Sequence, residues 1–590
     1  MKKIFHIIIT VAVLALFIGC DDFLDVNTSK DSPTSVTVDQ ALPPAIFYAS
    51  QQVYDHAEYA VYLAQALTTA GKSQTSTYAY SSGWEFLSMN RHPQWRRHFY
   101  DLGANIEELK KAAEKIDSKN FILIARTIML QSTMFTTDVF GDMPRSKVYL
   151  DTSPAYDSQE DIYDWMFQEA DELVELYANP EWAANKANIR ITKKMDRIYE
   201  GNLKKWELYT KALRARLWLR KLPNWENTPE VCNKIIGMVD EVLNDPAWQE
   251  PRFNYTGGTS EQNAPWGPYA PIINAWESRG NRLATSIPTK FFAYGILGAY
   301  DNNNSENARK YALDPRVEKL MTMRDIADKK GSTRLRWLES NIGMDVSMRV
   351  TNYPDLYGSG DNPYTLNDGY IALITDEELM FIKAEAQYWA GDKAGAYNTA
   401  KNATIHNMKR LGIVESELVG NALKRYNVFF EVRFPGESLF TIADLMQQKY
   451  VAMYLQPELW NDMRRYNYSS KTNGITYDNV PVYTITTCHN GKGTGIGKPE
   501  NFSAEYSLRR PYNLYVPYWM QEDAFGQNAE LSPNAWINRL NYDPETEDKY
   551  NKKELERLGA YKNAEWLKKR MIWQYNNSGK AVASDPTEWK

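Results

Sequence analysis

Thr375-Asp-Glu-Glu-Leu-Met-Phe-Ile-Lys-Ala-Glu-Ala-Gln-Tyr-Trp-Ala-Gly-Asp392 is the stretch whose reading decides the fold. Thr375 with Glu378 three residues on is a helix-start signature: a hydroxyl can cap a free amide of the first turn. Leu379, Ile382, Ala386 and Trp389 then recur at helical spacing and mark one apolar face. Gly391-Asp392 makes a turn, and a return helix carries Ala396, Ala400 and Met408 before Gly412 ends it. The pair spans 375–412, close to the length of a tetratricopeptide-like repeat. One such pair cannot bury its own apolar face, so it needs neighbours of the same kind.

Working outward, the neighbours are present. Leu102, Ile106, Leu109, Ala113 and Ile116 give one face, and an almost wholly apolar helix from Phe121 to about Thr137 follows, making a pair near 101–138. A second pair lies near 158–222. It opens at Ser158 with Asp161 three on, continues through Ile162, Trp165, Ala170, Leu173 and Leu176, and returns along Leu203, Trp206, Tyr209, Leu213 and Leu217 to a stop before Pro223. A further pair is expected near 438–467, and a lone helix from Ala41 to Ala70 ended by Gly71. Trp165, Trp206, Trp218 and Trp389 sit on helical faces and are expected in the core. The fold class is therefore all-α: tetratricopeptide-like helix pairs forming a shell, with a loop-rich, irregular second half. The loops are two insertions, 251–290 and 351–369, rich in proline, glycine and large aromatics. Val480 to Thr487 is expected to form a short strand.

The chain's first residues have a different character. Lys2 and Lys3 precede an apolar run from Ile4 to Ile18, too short for a permanent span, and the run ends at Gly19-Cys20-Asp21-Asp22. This pattern is expected of a lipoprotein signal over 1–19, with Cys20 as the lipid-attachment residue. Residues 20–40 then form a polar, lipidated tether, and 41–590 the body. A triacylated cysteine anchors stably where one acyl chain would not. Beyond the signal no apolar run is long enough to cross a membrane.

The formal charge is −6, becoming −8 without Lys2 and Lys3, and no basic stripe is present, which argues against nucleic acid as a partner. Of three cysteines only Cys232 and Cys488 remain to pair, so a disulfide-built fold is excluded. Cys232 lies among helical residues and reads as a buried thiol. Six histidines are scattered without metal-ligand spacing. Gly491-Lys-Gly-Thr-Gly-Ile-Gly-Lys498 fails as a phosphate loop, because Pro499 stands where Ser or Thr is needed. Asp361-Asn362 and Asn367-Asp368 lack calcium-loop spacing and read as solvated turns. No enzyme, cofactor or metal site is expected. A glycosidase, needing only two well-placed carboxylates, is the rival from another class.

Several stretches together resemble the SusD/RagB family of outer-membrane lipoproteins. They are Cys20-Asp-Asp-Phe-Leu-Asp-Val-Asn-Thr with Pro33-Thr34; Thr137-Asp-Val-Phe-Gly-Asp-Met-Pro144; Tyr156-Asp-Ser-Gln-Glu-Asp-Ile-Tyr163; and Lys204 to Trp218. Asp314-Pro-Arg316, Glu378 to Ala386, Lys449 to Tyr454 and Glu458 to Arg465 complete the set. The resemblance implies four tetratricopeptide-like pairs, an outer-membrane, cell-surface position, and a TonB-dependent, SusC-like transporter that the lipoprotein covers. It also implies capture of a nutrient polymer, most members taking glycans and some taking peptides. The motifs themselves read as packing and capping sequence.

A glycan binder needs flat apolar faces for sugar C–H groups and polar partners for hydroxyls. Burying roughly 100 Å² on one indole face contributes about 2–3 kcal/mol at most. The candidates are Trp266, Tyr269 and Trp276, then Trp84 and Trp95, with Asn281 and Arg282 as polar partners. The competing role for each aromatic is to plug its loop onto the shell.

Overall fold

The computed structural model describes residues 36–69, 93–259, 262–269, 283, 286–289, 291–298, 313–321, 325–327, 333–335, 356–357, 360, 362–485, 507–508, 515–516, 529–530, 536–543, 546–563 and 565–575. Among these residues the helices of eight or more residues are α1 (Val38–Leu63), α2 (Ala104–Lys115), α3 (Lys119–Phe140), α4 (Gln159–Ala178) and α5 (Leu203–Leu219), then α6 (Pro229–Leu243), α7 (Asp376–Trp389), α8 (Lys393–Arg410), α9 (Gly420–Arg433), α10 (Ile442–Ala452) and α11 (Glu458–Arg465). Among the described residues the sheet content is small: four two-stranded antiparallel ribbons.

Local chemistry starts these helices where the sequence places caps. The side chains of Ser158, Asn202, Thr228, Thr375, Asp392 and Thr441 each accept a hydrogen bond from the amide three residues on. Each helix from α2 to α8 then packs on the next, which is the shell. α1 lies against α2 and α3, α11 lies on α1, and α10 closes onto α7 and α8.

The inside of this array is charged as well as apolar. Arg216 of α5 meets Glu378 of α7 through two bonds of 2.6 and 2.8 Å. Arg220 joins Asp138 of α3 to Glu458 of α11. Arg465 grips Glu385 at 2.7 Å and also Asp462, and Lys449 of α10 bonds both carboxylates. Arg464 donates to the backbone oxygens of Asp138 and Asn538 at 2.6 and 2.7 Å. These cations and carboxylates balance, and all are buried. A paired, hydrogen-bonded charge is tolerable in a core, whereas an orphaned one is not. Burial works to raise Glu385 and Glu458, but Arg465 with Lys449 and Arg220 with Arg216 hold each at about 2.

Several expectations need correction. α1 stops at Leu63 rather than running to Ala70: Gln65 turns the chain at φ +61, and Leu67–Thr69 becomes a strand paired with Ser286–Pro288. Val480 makes an isolated bridge with Tyr477, and no strand runs on through residue 485; 486 and 487 fall outside the described residues. Ile116 lies past the end of α2 and is exposed. Trp206 is fully buried, but Trp165, Trp218 and Trp389 are only partly so. Trp165 and Trp218 lie under the cations of Arg145 and Lys234, because a half-buried indole keeps one face for a long basic side chain. Cys232 is buried and free, and burial raises its thiol to about 11.

Candidate ligand surface

The two aromatic insertions are laced together. Strand Arg252–Asn254 pairs antiparallel with Tyr370–Ala372, in the register Arg252↔Ala372, Phe253↔Ile371 and Asn254↔Tyr370. Beyond the strand the lacing continues: the Tyr255 amide donates to Gly369 O at 3.0 Å, and Ala264 to Asn367 O at 2.8 Å. The Tyr269 amide donates to the Asn367 side chain at 3.0 Å, while Asn263 Nδ2 donates to Tyr269 O at 2.6 Å. Gly267 is required here, since a Cβ would lie 2.8 Å from Asn367 Oδ1 and 3.0 Å from Leu366 O. Backbone groups taken from water need such partners.

The base of this structure is tied to the helix array by charge. Arg410 of α8 bonds Glu250, Glu377 and the Tyr370 hydroxyl, all within 2.9 Å. His406 adds a 2.9 Å contact to Glu377. Burial would raise the Glu377 carboxyl, but the hydrogen bonds from His406 and Arg410 bring it down to about 2. Arg252, against Glu250, lies over the Tyr370 ring at 4.4 Å.

The candidate residues separate sharply on this frame. Tyr269 is 73% exposed at the outer end of the lacing. Trp266 is buried, its ring edge-on to Tyr54 of α1 at 4.7 Å. Its role in the structure is to plug the insertion onto α1, where Gln51 also donates to the Tyr255 hydroxyl. Trp95 is buried as well, surrounded by Phe99, Phe140 and Tyr542 at 4.5–5.4 Å, with its indole N–H donating to Glu547. Neither indole offers a face to solvent in this conformation. Cys20, Trp84, Trp276, Asn281 and Arg282 lie outside the described residues. In the second insertion Asn367 Oδ1 is used by the Tyr269 amide, and no described group of three or more His, Cys, Asp or Glu has metal-holding geometry.

Sequence reasoning missed three other surface tyrosines. Tyr100 is 54%, Tyr149 46% and Tyr550 69% exposed. Tyr100 sits in a π-helix, Arg97–Gly103, whose wider turn breaks the 3.6-residue periodicity that would have flagged it.

The fold and this surface together define a class, a helical-repeat scaffold that carries aromatic insertions. Residues 45–229 match the SusD-like family model, described as SusD and RagB outer membrane lipoprotein. A SusD/RagB family protein from Bacteroides thetaiotaomicron aligns at a TM-score of 0.59 with 16% identity, covering 92% of this chain and 100% of that one. A SusD homologue from Parabacteroides distasonis aligns at 0.55 with 15% identity, covering 93% and 99%. A chitin-binding SusD homologue from Flavobacterium johnsoniae aligns at 0.50 with 14% identity, covering 91% and 96%. At these identities the likeness concerns the fold. No curated protein matches in sequence. The chain is thus similar to SusD-like proteins in sequence over 45–229, and in fold over nearly its whole length. No described helix is long and apolar enough to cross a membrane.

Proposed function

We propose that this protein is a lipid-anchored, non-enzymatic capture protein that binds a glycan polymer at the outer membrane and passes it to a TonB-dependent transporter. The observation that carries the reading is the laced pair of insertions, which holds Tyr269 out into solvent on a backbone fixed at both of its ends. A phenol ring suits this task, with an apolar face for sugar C–H groups and a hydroxyl for their oxygens. Holding the loop in place beforehand removes part of the ordering cost of binding. Two solved structures, one named a chitin-binding protein and the other a chitin-binding SusD homologue, share this fold and make amino-sugar polymers a sensible member of the test panel. In this reading Cys20 carries the lipid anchor, and a SusC-like transporter, the partner that the family resemblance implies, takes delivery.

Affinity electrophoresis through gels containing soluble β-glucan, xylan or glycol chitin tests the reading. Retardation by at least one polysaccharide is expected. Binding to oligopeptides alone, measured by titration calorimetry, would replace the glycan with a peptide. Release of reducing sugar from the retained polymer would make the protein a hydrolase instead. Cys20→Ala should shift the protein from the membrane fraction to the soluble one while leaving retardation intact.

A further inference from the structure

The joint between the laced insertions and the helix array contains one group whose charge is not permanent. His406 of α8 stands between two neighbouring carboxylates of α7. Its Nδ1 lies 2.9 Å from Glu377 Oε1, and its Nε2 lies 4.0 Å from Asp376 Oδ2. A neutral imidazole has one N–H and must turn a lone pair towards one of these carboxylates, whereas the imidazolium offers a donor to each. The side chain is 43% exposed, so water can supply and remove the proton.

The charges around the joint point the same way. Glu250, Asp376 and Glu377 bring three negative charges, and Arg252 and Arg410 bring two permanent positive ones. Protonated His406 balances the group, and neutral His406 leaves it one negative charge in excess. The hydrogen bond with Glu377, and then the charges of Glu377 and Asp376, raise the imidazole above its ordinary 6.5 against burial and Arg410. The other groups at the joint stay as they are. The phenols of Tyr364 and Tyr370, which also face Arg410, are raised by burial and keep their protons. Lys409, the next cation along α8, is exposed. α10, which also packs on α8, turns its charges elsewhere: Asp444 caps Thr441, and Lys449 bonds Glu385 and Asp462.

This joint carries the segment that holds Tyr269. Arg410 donates to Glu377 on the array side, and to Glu250 and the Tyr370 hydroxyl on the insertion side. Tyr370 stands three residues from Asn367, whose side chain receives the Tyr269 amide and whose carbonyl receives the Ala264 amide. The carboxylates that repel across the joint are Glu250 from the insertion and Asp376 and Glu377 from the helix. Burial first, and then Glu250, raise the Asp376 carboxyl, which is the mark of that repulsion. Loss of the His406 charge therefore strains the contact that fixes the insertions to the array.

We propose that His406 is a proton latch: charged, it clamps the laced insertions to the helix array, and neutral, it lets them loosen. The latch is a property of the unliganded protein. Its consequence rests on the capture reading, in which a bound polymer is held more firmly by the charged state. Folding raises this imidazole, so its stabilisation is complete below 6.5 and is lost as pH climbs through the folded value.

Hydrogen exchange read by mass spectrometry tests the latch at pH 6.5 and pH 9, with rates corrected for the intrinsic pH dependence of exchange. Burial keeps His56 and His98 neutral across this window, so the acid response of the scaffold does not enter. Protection of the amides in 252–256 and 367–373 should fall about two- to fivefold at pH 9, the range of a partly exposed ion pair. Protection in α3 should not change. His406→Gln, which keeps a donor but no charge, should give the low value at both pH values, and His406→Lys the high value at both. Thermal melts confirm that each variant is folded. Retention by polysaccharide should follow the same order. Equal protection at the two pH values in the unsubstituted protein overturns the latch, and so does a pH response that survives in His406→Gln. If protection responds as expected and no polysaccharide is retained at either pH, the latch stands and the capture reading falls.

Discussion

Two regions of this protein put charged and aromatic side chains to opposite uses. Inside the helix array, arginine and glutamate are fully buried and face one another: Arg216 with Glu378, Arg220 with Asp138 and Glu458, Arg465 with Glu385. Across the laced insertions the backbone makes most of the bonds, and the side chain left over, Tyr269, points outward. The charged residues are structural and the aromatic one is available, the reverse of what polarity alone would suggest. Position within a closed network, and not residue type, separates scaffold from surface.

Acid is the strongest way to break the scaffold side. Burial holds His56 and His98 neutral, with pKa values lowered from 6.5 to about 3. The unfolded chain takes up those protons first, so stability should fall as pH drops from about 6.5 towards 3. Glu377, Glu385 and Glu458, lowered from 4.5 to about 2, add a second loss below about pH 4.5. Melting temperature measured from pH 7 to pH 3 should decline throughout and end in unfolding. A flat profile down to pH 4 would contradict buried neutral histidines.

Arg465→Leu comes next. It strands Glu385 and Asp462 with Lys449 as their remaining cation, and removing one partner of a buried pair costs about 3–5 kcal/mol. Urea unfolding should show a large fall in midpoint or no folded protein. Asn367→Ala should cost only about 1 kcal/mol, the usual net worth of one hydrogen bond, because the bond lost is the one to the Tyr269 amide. It should also weaken polymer retention by freeing the loop. Tyr269→Ala should leave stability within about 0.5 kcal/mol and still reduce retention several-fold. A Tyr269 variant that lost stability and kept binding would erase the contrast between the two regions.

The helix pairs were legible because their caps and apolar spacing are local. Thr375 with Glu378, Ser158 with Asp161 and the Gly391 turn each report on their own few residues. The family-like motifs were legible as sequence but not as chemistry. Asp138, Arg216, Glu378, Glu385, Lys449, Glu458, Asp462 and Arg465 all fall within them, yet nothing in a linear reading pairs residues more than 200 positions apart, as Arg220 and Glu458 are. The candidate site was less legible still. Trp266 and Tyr269 stand three residues apart in one loop, and only the packing of Tyr54 decides which is hidden. Tyr100 carried no signal because a π-helix shifts the face on which each side chain falls.

The hydrogen bond from Trp95 to Glu547 spans 452 positions, and Tyr156 leans on the same carboxylate from 391 away. Trp573 similarly reaches back 435 residues to Asp138. The pocket around Trp95 therefore has no floor until nearly the last residues of the chain arrive. Contacts of such separation form late, since a long loop must close before they reward it. During synthesis the early helices are obliged to wait, incompletely packed, for the C-terminal segment that completes them.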